Sequence, residues 1–554
     1  MKFPKRSPLF WIVVALFAGL TIWWTLFVPY APEQIWKAIP AEAVFVSEHR
    51  NLAARWDAFS RNPFTRSLLT TVGLTPPTLQ NLSRDPESKK WLDALTARDS
   101  VLAFVPQLGA YREPAWVFAS WIGGRSQRLR WSLAWQRGGG FKRGPAHHGR
   151  AYWVVEDLDI GGDHRLTIAF VEGMLVGCLS RHPEAILEVL DTYDGLMPSV
   201  ADVRNMSVRG PWCTDPVAPD RGWFDPASLE RPRPVDSKLV AYEFSELLPD
   251  TLAGQICGAA PFAFAQSTTP RLKADGLEEV LGELPQAVVI ARTAMVLPAL
   301  EEEKNPFWVR QCAELIRGQK ASTVMLAVLG DDYSGRFHGI RVPTLLIGIP
   351  AAQPDAAVEW VPQAFDRLNA RYRCGLISRE LAAGEQRFYV VEGTVSSNSA
   401  ALTLDERPAY AVVGKWLLFS SNLEALRKVA AFANRGGSQA AGTPVWARSM
   451  NETPAPAYGW IDLARGGKNL RLAVTTYSLK LLLEDPRGTY RVRQQLNDAK
   501  AWIDALMPLQ ICRFWVRSDG VMMEGKFRMG KDELAEPREN GSVVSTNLER
   551  TVTK

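Results

Sequence analysis

The sequence predicts an α+β protein in which an N-terminal transmembrane helix is followed by two tandem, homologous domains of mainly antiparallel sheet and helices. Three observations lead to this prediction. An uncharged apolar run lies near the N-terminus, several phrases recur about 240 residues apart, and short β-rich runs are separated by hairpin signals. A mixed order of strands and helices with many hairpins is typical of α+β proteins, and 554 residues are enough for two or more domains.

The apolar run LFWIVVALFAGLTIWWTLFV covers residues 9–28 and contains no charged residue. As a helix with a rise of about 1.5 Å per residue, it is long enough to cross the roughly 30 Å hydrocarbon core of a bilayer. A cleaved signal peptide usually has a shorter apolar region that ends in small residues, whereas bulky side chains follow this run. The sequence therefore predicts an uncleaved anchor that contacts the lipid bilayer.

Basic residues precede the anchor at Lys2, Lys5 and Arg6. Because Lys and Arg favour the cytoplasmic side of a membrane, we expect residues 1–8 to form a cytoplasmic N-terminus. No later run of the sequence is long and apolar enough to span a bilayer. After a linker at 29–38, the bulk of the chain is therefore expected outside the cytoplasm, on a single-pass protein of the cytoplasmic (inner) membrane.

The second observation is an internal repeat. The hairpin phrase that contains Gly173 recurs around Gly414, a shift of 241 residues, and YWVVE from Tyr152 resembles FYVVE from Phe388, a shift of 236 residues. The earlier phrases IPAEAVFV and NPF likewise return, in the same order, as LPQAVVI and NPF. A period of this length indicates two copies of a whole domain and excludes a solenoid of short repeats.

The repeat sets the predicted domain boundaries. We place the first α+β repeat at 39–282 and the second at 283–529. The polar composition of the remaining segment, 530–554, predicts a disordered tail. Residues 209–237 are rich in proline and have no recognised counterpart in the second copy, so we interpret them as an insert or a long loop.

Each copy has the same predicted order of elements. A strand opens it, at 44–47 and 288–291, and a helical region leads through the NPF turn. Two β-rich runs follow, and then a helix, which is most evident at 355–372, where apolar residues recur at helical spacing. A VVE strand, a hairpin and a further helix come next, and the second copy ends with β-rich runs on both sides of Asp519-Gly520, a strong hairpin signal.

Motifs for catalysis or metal binding are sparse. The sequence contains no GxSxG nucleophile elbow, no HExxH zinc pair and no Walker-type phosphate loop. AHHGR, residues 146–150, could supply two metal ligands together with Asp163 or His164. Adjacent histidines in a strand point to opposite faces, however, and the second copy has none there. We therefore interpret them as exposed loop residues and predict no metal and no cofactor.

Two matched sets of polar residues have alternative interpretations. Glu156 and Glu392 lie at the ends of matching strands, where a carboxylate pair in a cleft could perform acid–base chemistry; we favour solvated strand ends. Ser180 and Ser420 lie at matching hairpin–helix junctions. Because a serine hydroxyl can accept a hydrogen bond from a helix N-terminus, we expect these serines, with Ser421 next to Ser420, to cap the helices or to shape the approach of the chain to them.

The proline-rich segment contains the candidate partner-binding residues Trp212, Trp223 and Phe224. Exposed aromatic side chains on a loop are typical binding anchors. The alternative is local packing, in which these rings hold the loop against its own domain.

A hairpin phrase followed by a helix occurs at Phe170–Leu187 and again at Ala411–Leu426, and a phrase of the type P-x-A-V opens each copy, at Pro40–Val44 (one residue longer) and Pro285–Val288. In these phrases the chain resembles a group of uncharacterised bacterial envelope proteins with one N-terminal anchor and a large duplicated extracytoplasmic region. The resemblance implies a similar architecture and a location in the periplasm. Because its motifs are structural, it implies neither a catalytic residue nor a ligand.

Charge and patterning narrow the class of function. The net charge is only +5, which argues against a nucleic-acid partner. We expect a non-enzymatic, membrane-anchored extracytoplasmic binding or scaffold protein whose partner is an envelope protein, a lipid or a glycan. Two alternatives stay open: a hydrolase acting on an envelope polymer or lipid with carboxylates in a cleft between the domains, and a carrier of an apolar ligand in a dry cavity between sheet and helices.

Overall fold

The structure is a computed structural model. The residues that it describes are 8–71, 84–135, 140–156, 164–204, 218–225, 240–259, 287–294, 323–337, 340–351, 353–372, 375–383, 386–393, 402–404, 407–434, 457–484, 490–518 and 522–530. The predicted cytoplasmic segment, apart from Pro8, and residues 531–554 of the predicted tail lie outside this set.

The described part of the chain begins with helix α1 (Pro8–Leu26). The side chains of residues 11–20 are exposed along this helix. Among the residues that the structure describes, no helix has the length and hydropathy needed to cross a membrane. The anchor predicted at 9–28 is therefore not confirmed and stays a proposal.

The segment after α1 packs against the first half of the protein. A 3₁₀ helix (Pro32–Ala38) buries Ile35 and Trp36 in an apolar core. Just before this helix, the Tyr30 hydroxyl donates a hydrogen bond to the Asp99 carboxylate. The stretch predicted as a linker is thus folded as part of the first half.

The described residues form 21 strands. The strands of the first half are β1 (Phe45–Arg50), β2 (Asp99–Leu108), β3 (Glu113–Trp121), β4 (Phe141–Arg143), β5 (Tyr152–Val155), β6 (Arg165–Val171), β7 (Met174–Ser180), β8 (Asp220–Phe224), β9 (Val240–Leu248) and β10 (Thr251–Ala259). Those of the second half are β11 (Ala287–Ala294), β12 (Thr323–Phe337), β13 (Ile340–Pro350), β14 (Ile377–Ala383), β15 (Gln386–Glu392), β16 (Leu402–Leu404), β17 (Ala409–Val413), β18 (Trp416–Ser420), β19 (Ala457–Asp462), β20 (Ile511–Ser518) and β21 (Met522–Gly530).

Helices accompany the strands in both halves. Those of the first half after α1 are α2 (Leu52–Arg61), α3 (Pro63–Thr71), α4 (Pro86–Thr96), α5 (Arg125–Trp135), α6 (Ala185–Tyr193) and α7 (Val200–Arg204). Those of the second half are α8 (Pro354–Tyr372), α9 (Leu423–Asn434), α10 (Leu463–Glu484) and α11 (Tyr490–Leu506), followed by a short 3₁₀ helix (Met507–Leu509). The α+β prediction with antiparallel sheet is confirmed, and the helix predicted at 355–372 is present as α8.

The strands form one continuous antiparallel sheet with a repeated order. In the first half the order from the outer edge inward is β4, β5, β6, β7, β3, β2, β1, β8, β9, β10. In the second half it is β14, β15, β17, β18, β13, β12, β11, β19, β20, β21. Each strand of one half thus has a counterpart at the same place in the other, and β16 adds a short pairing with β12.

The two halves meet at the pair β10–β21. This antiparallel ladder runs from Leu252 opposite Met529 to Ala259 opposite Met522. An aromatic cluster covers it on one face, where the Phe64 ring of α3 lies 5.5 Å from the Trp502 ring of α11, centroid to centroid. The halves therefore share a single sheet, with backbone hydrogen bonds and apolar contacts across the boundary.

Helices pack on both faces of the sheet. On one face of the first half, the first 3₁₀ helix and α6 cover β1, β2, β3 and β7, where Val101, Ala103 and Val105 alternate inward as a strand requires. Helix α9 covers the same face of the second half. On the opposite face, α2 and α3 lie over the first half, and α8, α10 and α11 lie over the second.

The repeated hairpin–helix phrase has the same geometry in both halves. The β6–β7 hairpin turns at Gly173 and the β17–β18 hairpin at Gly414, both with positive φ, a conformation that glycine adopts readily. Ser180 donates a hydrogen bond to the His182 carbonyl, and Ser420 donates the equivalent bond to the Asn422 carbonyl. The serines thus stabilise the approach of the chain to the helix, one of the two roles expected for them, and the cap of α9 is Asn422, whose side chain accepts hydrogen bonds from the Glu424 and Ala425 N–H groups.

The segment predicted as a proline-rich insert contains a strand of the central sheet. Within 209–237, β8 inserts between β1 and β9. Residues 221–225, RGWFD, which cover most of this strand and the residue after it, match YGWID of β19 in the second half, with Gly222 in the place of Gly459. The prediction that this whole segment is an insert without a counterpart is therefore wrong. The prolines on both sides of β8 are typical of a loop and made the repeated strand difficult to recognise in the sequence.

The close approach of β8 to β1 requires glycine at position 222. A Cβ atom there would lie 2.1 Å from the Val46 carbonyl oxygen and 2.6 Å from the Tyr242 hydroxyl. We predict that Gly222→Ala lowers the free energy of unfolding by about 2 kcal/mol, since overpacking of this kind forces backbone shifts. Urea unfolding followed by circular dichroism measures the change.

Gly525→Ala is the matched control, because a Cβ atom at Gly525 of β21 would have no neighbour closer than 3.8 Å. This variant should stay within about 1 kcal/mol of the wild type, the intrinsic range of strand propensity. Equal destabilisation by the two variants would contradict the close approach at Gly222.

Candidate functional site

The candidate partner-binding residues do not share an exposed surface in the described part of the chain. Trp223 is 7% exposed and packs in the core of the first half. Phe224, its neighbour in β8, points to the opposite face and packs half-buried in the cluster at the boundary of the halves. Trp212 lies outside the described residues. For Trp223 and Phe224, the structure favours local packing over partner contact.

The matched glutamates are also separated. Glu156 is exposed just after β5, and Glu392 ends β15, with Arg407 3.7 Å from its carboxylate. These strands lie near opposite edges of the strand order, with the whole sheet between them. The structure therefore does not bring the two carboxylates together for acid–base chemistry.

A cavity of about 560 Å³ lies between the sheet and helices α10 and α11 of the second half. Its floor is formed by β11, β12, β13 and β19, which contribute Val289 and Ile461 among other residues. Its helical wall includes Leu470 and Ala473 of α10 and Ile503 of α11. The side chains around the cavity are therefore mainly aliphatic.

Specific contacts at the start of α10 hold the helices above this cavity. The Asp462 carboxylate accepts a hydrogen bond of 2.8 Å from the Arg465 N–H and so caps the helix. The Asn469 amide donates a 2.9 Å bond to the Gly330 carbonyl of β12. At Gly467, where a Cβ atom would lie 2.4 Å from the Met507 side chain, α10 packs directly on the 3₁₀ helix that follows α11.

The polar groups around the cavity are already engaged within the protein. Asp462 caps α10 and Asn469 bonds β12, as described above. The Thr476 hydroxyl donates to the Leu472 carbonyl in its own helix, at 2.9 Å. Because none of these groups needs a ligand to complete its hydrogen bonding, the cavity is suited to hold an apolar molecule by burial rather than to transfer protons.

The cavity opens beside exposed leucines. Leu470 and Leu472, which line it, are 54% and 62% exposed, respectively. Exposed large apolar side chains that continue into a concave apolar site are typical of ligand or membrane contact. Leu479 and Leu483 extend the exposed apolar residues of α10 beyond the cavity.

A second polar arrangement lies in the first half, beneath α2. The Ser47 Oγ lies 2.9 Å from the His49 Nε2, and the His49 Nδ1 lies 2.7 Å from the Asp220 Oδ1. Arg55 of α2 forms a salt bridge with the other oxygen of Asp220. The order serine, histidine, aspartate is that of a nucleophile, a base and the acid that orients it.

Burial argues against catalysis by this chain of hydrogen bonds. Ser47 is 1% exposed and His49 is 5% exposed, and the Phe59 ring of α2 packs edge-on against the histidine. The Tyr242 hydroxyl also bonds Ser47. A nucleophile needs space for a reacting carbonyl beside it, so we interpret the arrangement as a buried network that fixes α2 to β1 and β8.

Among the residues that the structure describes, this network occurs in the first half and has no equivalent in the second. Ser47 pairs with Gly222, as Ala291 pairs with Gly459 in the second half. In these registers the second half has alanine, threonine and alanine at the positions equivalent to the serine, histidine and aspartate of the network. They are Ala291, Thr293 and Ala457, respectively. Sequence reasoning missed the network, because Asp220 is 171 residues from His49 and lies in a segment interpreted as a loop.

No protein-family model, curated protein or solved structure matches the chain.

Removing one partner of the buried ion pair between Asp220 and Arg55 should destabilise the protein strongly. We predict that Asp220→Asn lowers the free energy of unfolding by about 3 kcal/mol, because it leaves His49 and Arg55 without their carboxylate in a buried place. Asp57→Asn is the control, since Asp57 pairs with Arg61 on the exposed side of α2 and such pairs contribute at most about 1 kcal/mol. Equal effects in urea unfolding would show that the network is not a strong contact.

The same carboxylate should make stability depend on pH. Burial acts to raise the pKa of Asp220, but hydrogen bonds and positive charge from His49 and Arg55 outweigh it and hold the pKa below its ordinary value of 3.8. A carboxyl with a lowered folded pKa stabilises the protein above its ordinary pKa and loses that stabilisation as pH falls through the lowered value. The difference in unfolding free energy between wild type and Asp220→Asn should therefore be fully present at about pH 5 and shrink below about pH 4. A difference that grows as pH falls below about 5 would contradict this assignment.

Proposed function

We propose that this protein is a membrane-anchored binding protein of the bacterial cell envelope that takes up an apolar ligand, such as the acyl chain of a lipid. The observation that carries the proposal is the aliphatic cavity between the sheet and helices α10 and α11. Its volume, about 560 Å³, is in the range of small-molecule sites, which are concave and mostly apolar. Such a protein would combine two functions expected from the sequence, the membrane-anchored binding protein and the carrier of an apolar ligand.

Burial of an acyl chain would supply enough free energy for stable binding. Each methylene removed from water contributes about 0.8 kcal/mol, so about ten of them contribute roughly 8 kcal/mol before the entropic cost of binding. Because the polar groups around the cavity are engaged within the protein, a charged or glycan ligand would find few hydrogen-bond partners there. An apolar chain fits this lining better than either.

We also propose that residues 9–28 anchor the protein in the inner membrane, with the folded part in the periplasm. Support comes from α5, which packs beside α1. Arg128, Trp131 and Trp135 follow one another at helical spacing on α5 and are exposed. Tryptophan favours the bilayer interface and arginine favours anionic headgroups, so this face suits contact with the membrane surface next to the anchor.

The two halves are proposed to be homologous domains that arose by duplication. The repeated strand order and the shared GW phrase of β8 and β19 support this origin. The cavity depends on a feature that the halves do not share. Helices α10 and α11 stand between β19 and β20, whereas only the 15 residues of 225–239 separate β8 from β9, too few for helices of 22 and 17 residues.

The test uses a palmitic acid analogue that carries a photoreactive diazirine, added to membranes that contain the full chain. After illumination, mass spectrometry should find adducts on peptides of α10, α11 and β11. We predict that Ala473→Trp, which fills the cavity, lowers the adduct yield at least about tenfold, because displacing two methylenes already costs about 1.6 kcal/mol.

Leu479→Trp is the matched control. It introduces the same side chain on the same helix at a position that is 56% exposed and outside the cavity lining. Adduct formation should persist in this variant. Adducts confined to residues 9–28, or an equal yield from both variants, would contradict binding in the cavity.

A further inference from the structure

The two adjacent histidines of AHHGR lie in a tight turn and not in a strand. His148 and Gly149 both have positive φ, 46° and 77°, as the central residues of a type I′ hairpin turn require. His147 and Arg150 exchange two backbone hydrogen bonds across this turn, of 2.9 and 2.8 Å. The expectation that the histidines point to opposite faces therefore does not apply, because it assumed extended backbone.

The turn places both imidazole rings next to one carboxylate of α6. The His147 Nε2 lies 2.6 Å from the Asp191 Oδ1, and the His148 Nε2 lies 3.6 Å from the same oxygen. The ring centroids of the two histidines are 4.3 Å apart, and one ligand atom from each of the three residues lies within 4.8 Å of the others. Two imidazole nitrogens and a carboxylate oxygen thus converge on one point.

We propose that His147, His148 and Asp191 bind a divalent transition metal, with Zn²⁺ as the preferred ion. Imidazole and carboxylate ligands bind Zn²⁺ at about 2.0–2.2 Å in tetrahedral geometry, so two ligand atoms lie about 3.4 Å apart. The 3.6 Å distance is already close to this value, and the 2.6 Å hydrogen bond needs to lengthen by less than 1 Å. Nitrogen ligands select against Mg²⁺ and Ca²⁺, which favour sites made of oxygen alone.

The surroundings fix the turn and favour a cation. The Arg150 guanidinium holds both oxygens of Asp194, at 3.0 and 2.9 Å from its Nε, and lies over the Tyr193 ring. Tyr193 ends α6 and Asp194 follows it, close to Asp191 in the last turn. The contacts of Arg150 therefore hold the histidine turn next to Asp191, the third proposed ligand. With neutral histidines, the carboxylates of Asp191, Asp194 and Glu172 outnumber the charge of Arg150 and leave the site negative.

Three protein ligands leave one tetrahedral position for water. In this respect the site is like open zinc sites and unlike closed structural ones. His147 and Asp191 are half-buried, and His148 is exposed, so the fourth position would face solvent. Metal binding would link the hairpin between β4 and β5 to α6 and should raise the thermal stability of the first half.

The experiment uses the full chain in detergent without an affinity tag, since polyhistidine itself binds zinc. Titration with ZnCl₂ should give one site per chain by calorimetry, and Co²⁺ should give the visible absorption of a tetrahedral site. His148→Ala preserves the His147–Asp191 contact and should weaken Zn²⁺ binding at least about tenfold, because changes even in the outer shell of a metal site cost 10–100-fold. Zn²⁺ should raise the melting temperature of the wild type and not of this variant.

His182→Ala is the matched control. His182 lies 3.7 Å from the Glu113 carboxylate and, like His148, is exposed. None of the other described histidines lies beside it, so its replacement should leave Zn²⁺ affinity unchanged. Equal weakening by His148→Ala and His182→Ala, or the absence of stoichiometric binding to the wild type, would overturn the proposal. Neither result would bear on the apolar cavity, which lies in the other half of the chain.

Discussion

The antiparallel ladder between β10 and β21 is the contact on which the rest of the architecture depends. Each strand is the innermost member of its half, and without the other it would present a row of unpaired N–H and C=O groups. Eight residue pairs close this edge, and the aromatic cluster around Phe64, Phe244 and Phe527 buries it. Because β10 and β21 would each be an unpaired edge without the other, the two halves should unfold together, and what was expected as a cleft between two domains is instead continuous sheet.

On this shared sheet, the same face is used in two ways. In the first half, Phe45, Ser47 and Phe224 fill the space below α2 and α3 with aromatic packing and a buried hydrogen-bond network. At the equivalent strand positions, the second half has Val289, Ala291 and Ile461. These side chains are smaller than their counterparts in the first half. Contacts at the start of α10 also keep α10 and α11 at a distance from the sheet, and the space between is the cavity. The difference between the packed half and the half with the cavity therefore lies both in side-chain volume on the sheet and in helices α10 and α11, for which the 15 residues between β8 and β9 leave no room.

How much of this was predictable depends on the range of each interaction. The hairpins at Gly173 and Gly414 and helix α8 were predicted because local spacing and turn residues determine them. The pairing of β10 with β21 joins residues about 270 positions apart and has no local signature. The strand β8 was missed because proline-rich neighbours obscured its five residues. The His147–Asp191 contact depends on two positive φ angles, and the cavity depends on the distance between α10 and the sheet. No local sequence pattern predicts either the two angles or this distance.

The continuity of the sheet constrains how the proposed anchor and the proposed cavity would work together. If residues 9–28 lie in the membrane, the folded part begins within a few residues of the anchor, because the 3₁₀ helix that follows Tyr30 is buried in the core of the first half. The ladder β10–β21 and the contact of Phe64 with Trp502 then connect that half to the cavity without a flexible joint. In the proposed role, the cavity would therefore stay at a fixed distance from the membrane surface and would bind its apolar ligand there.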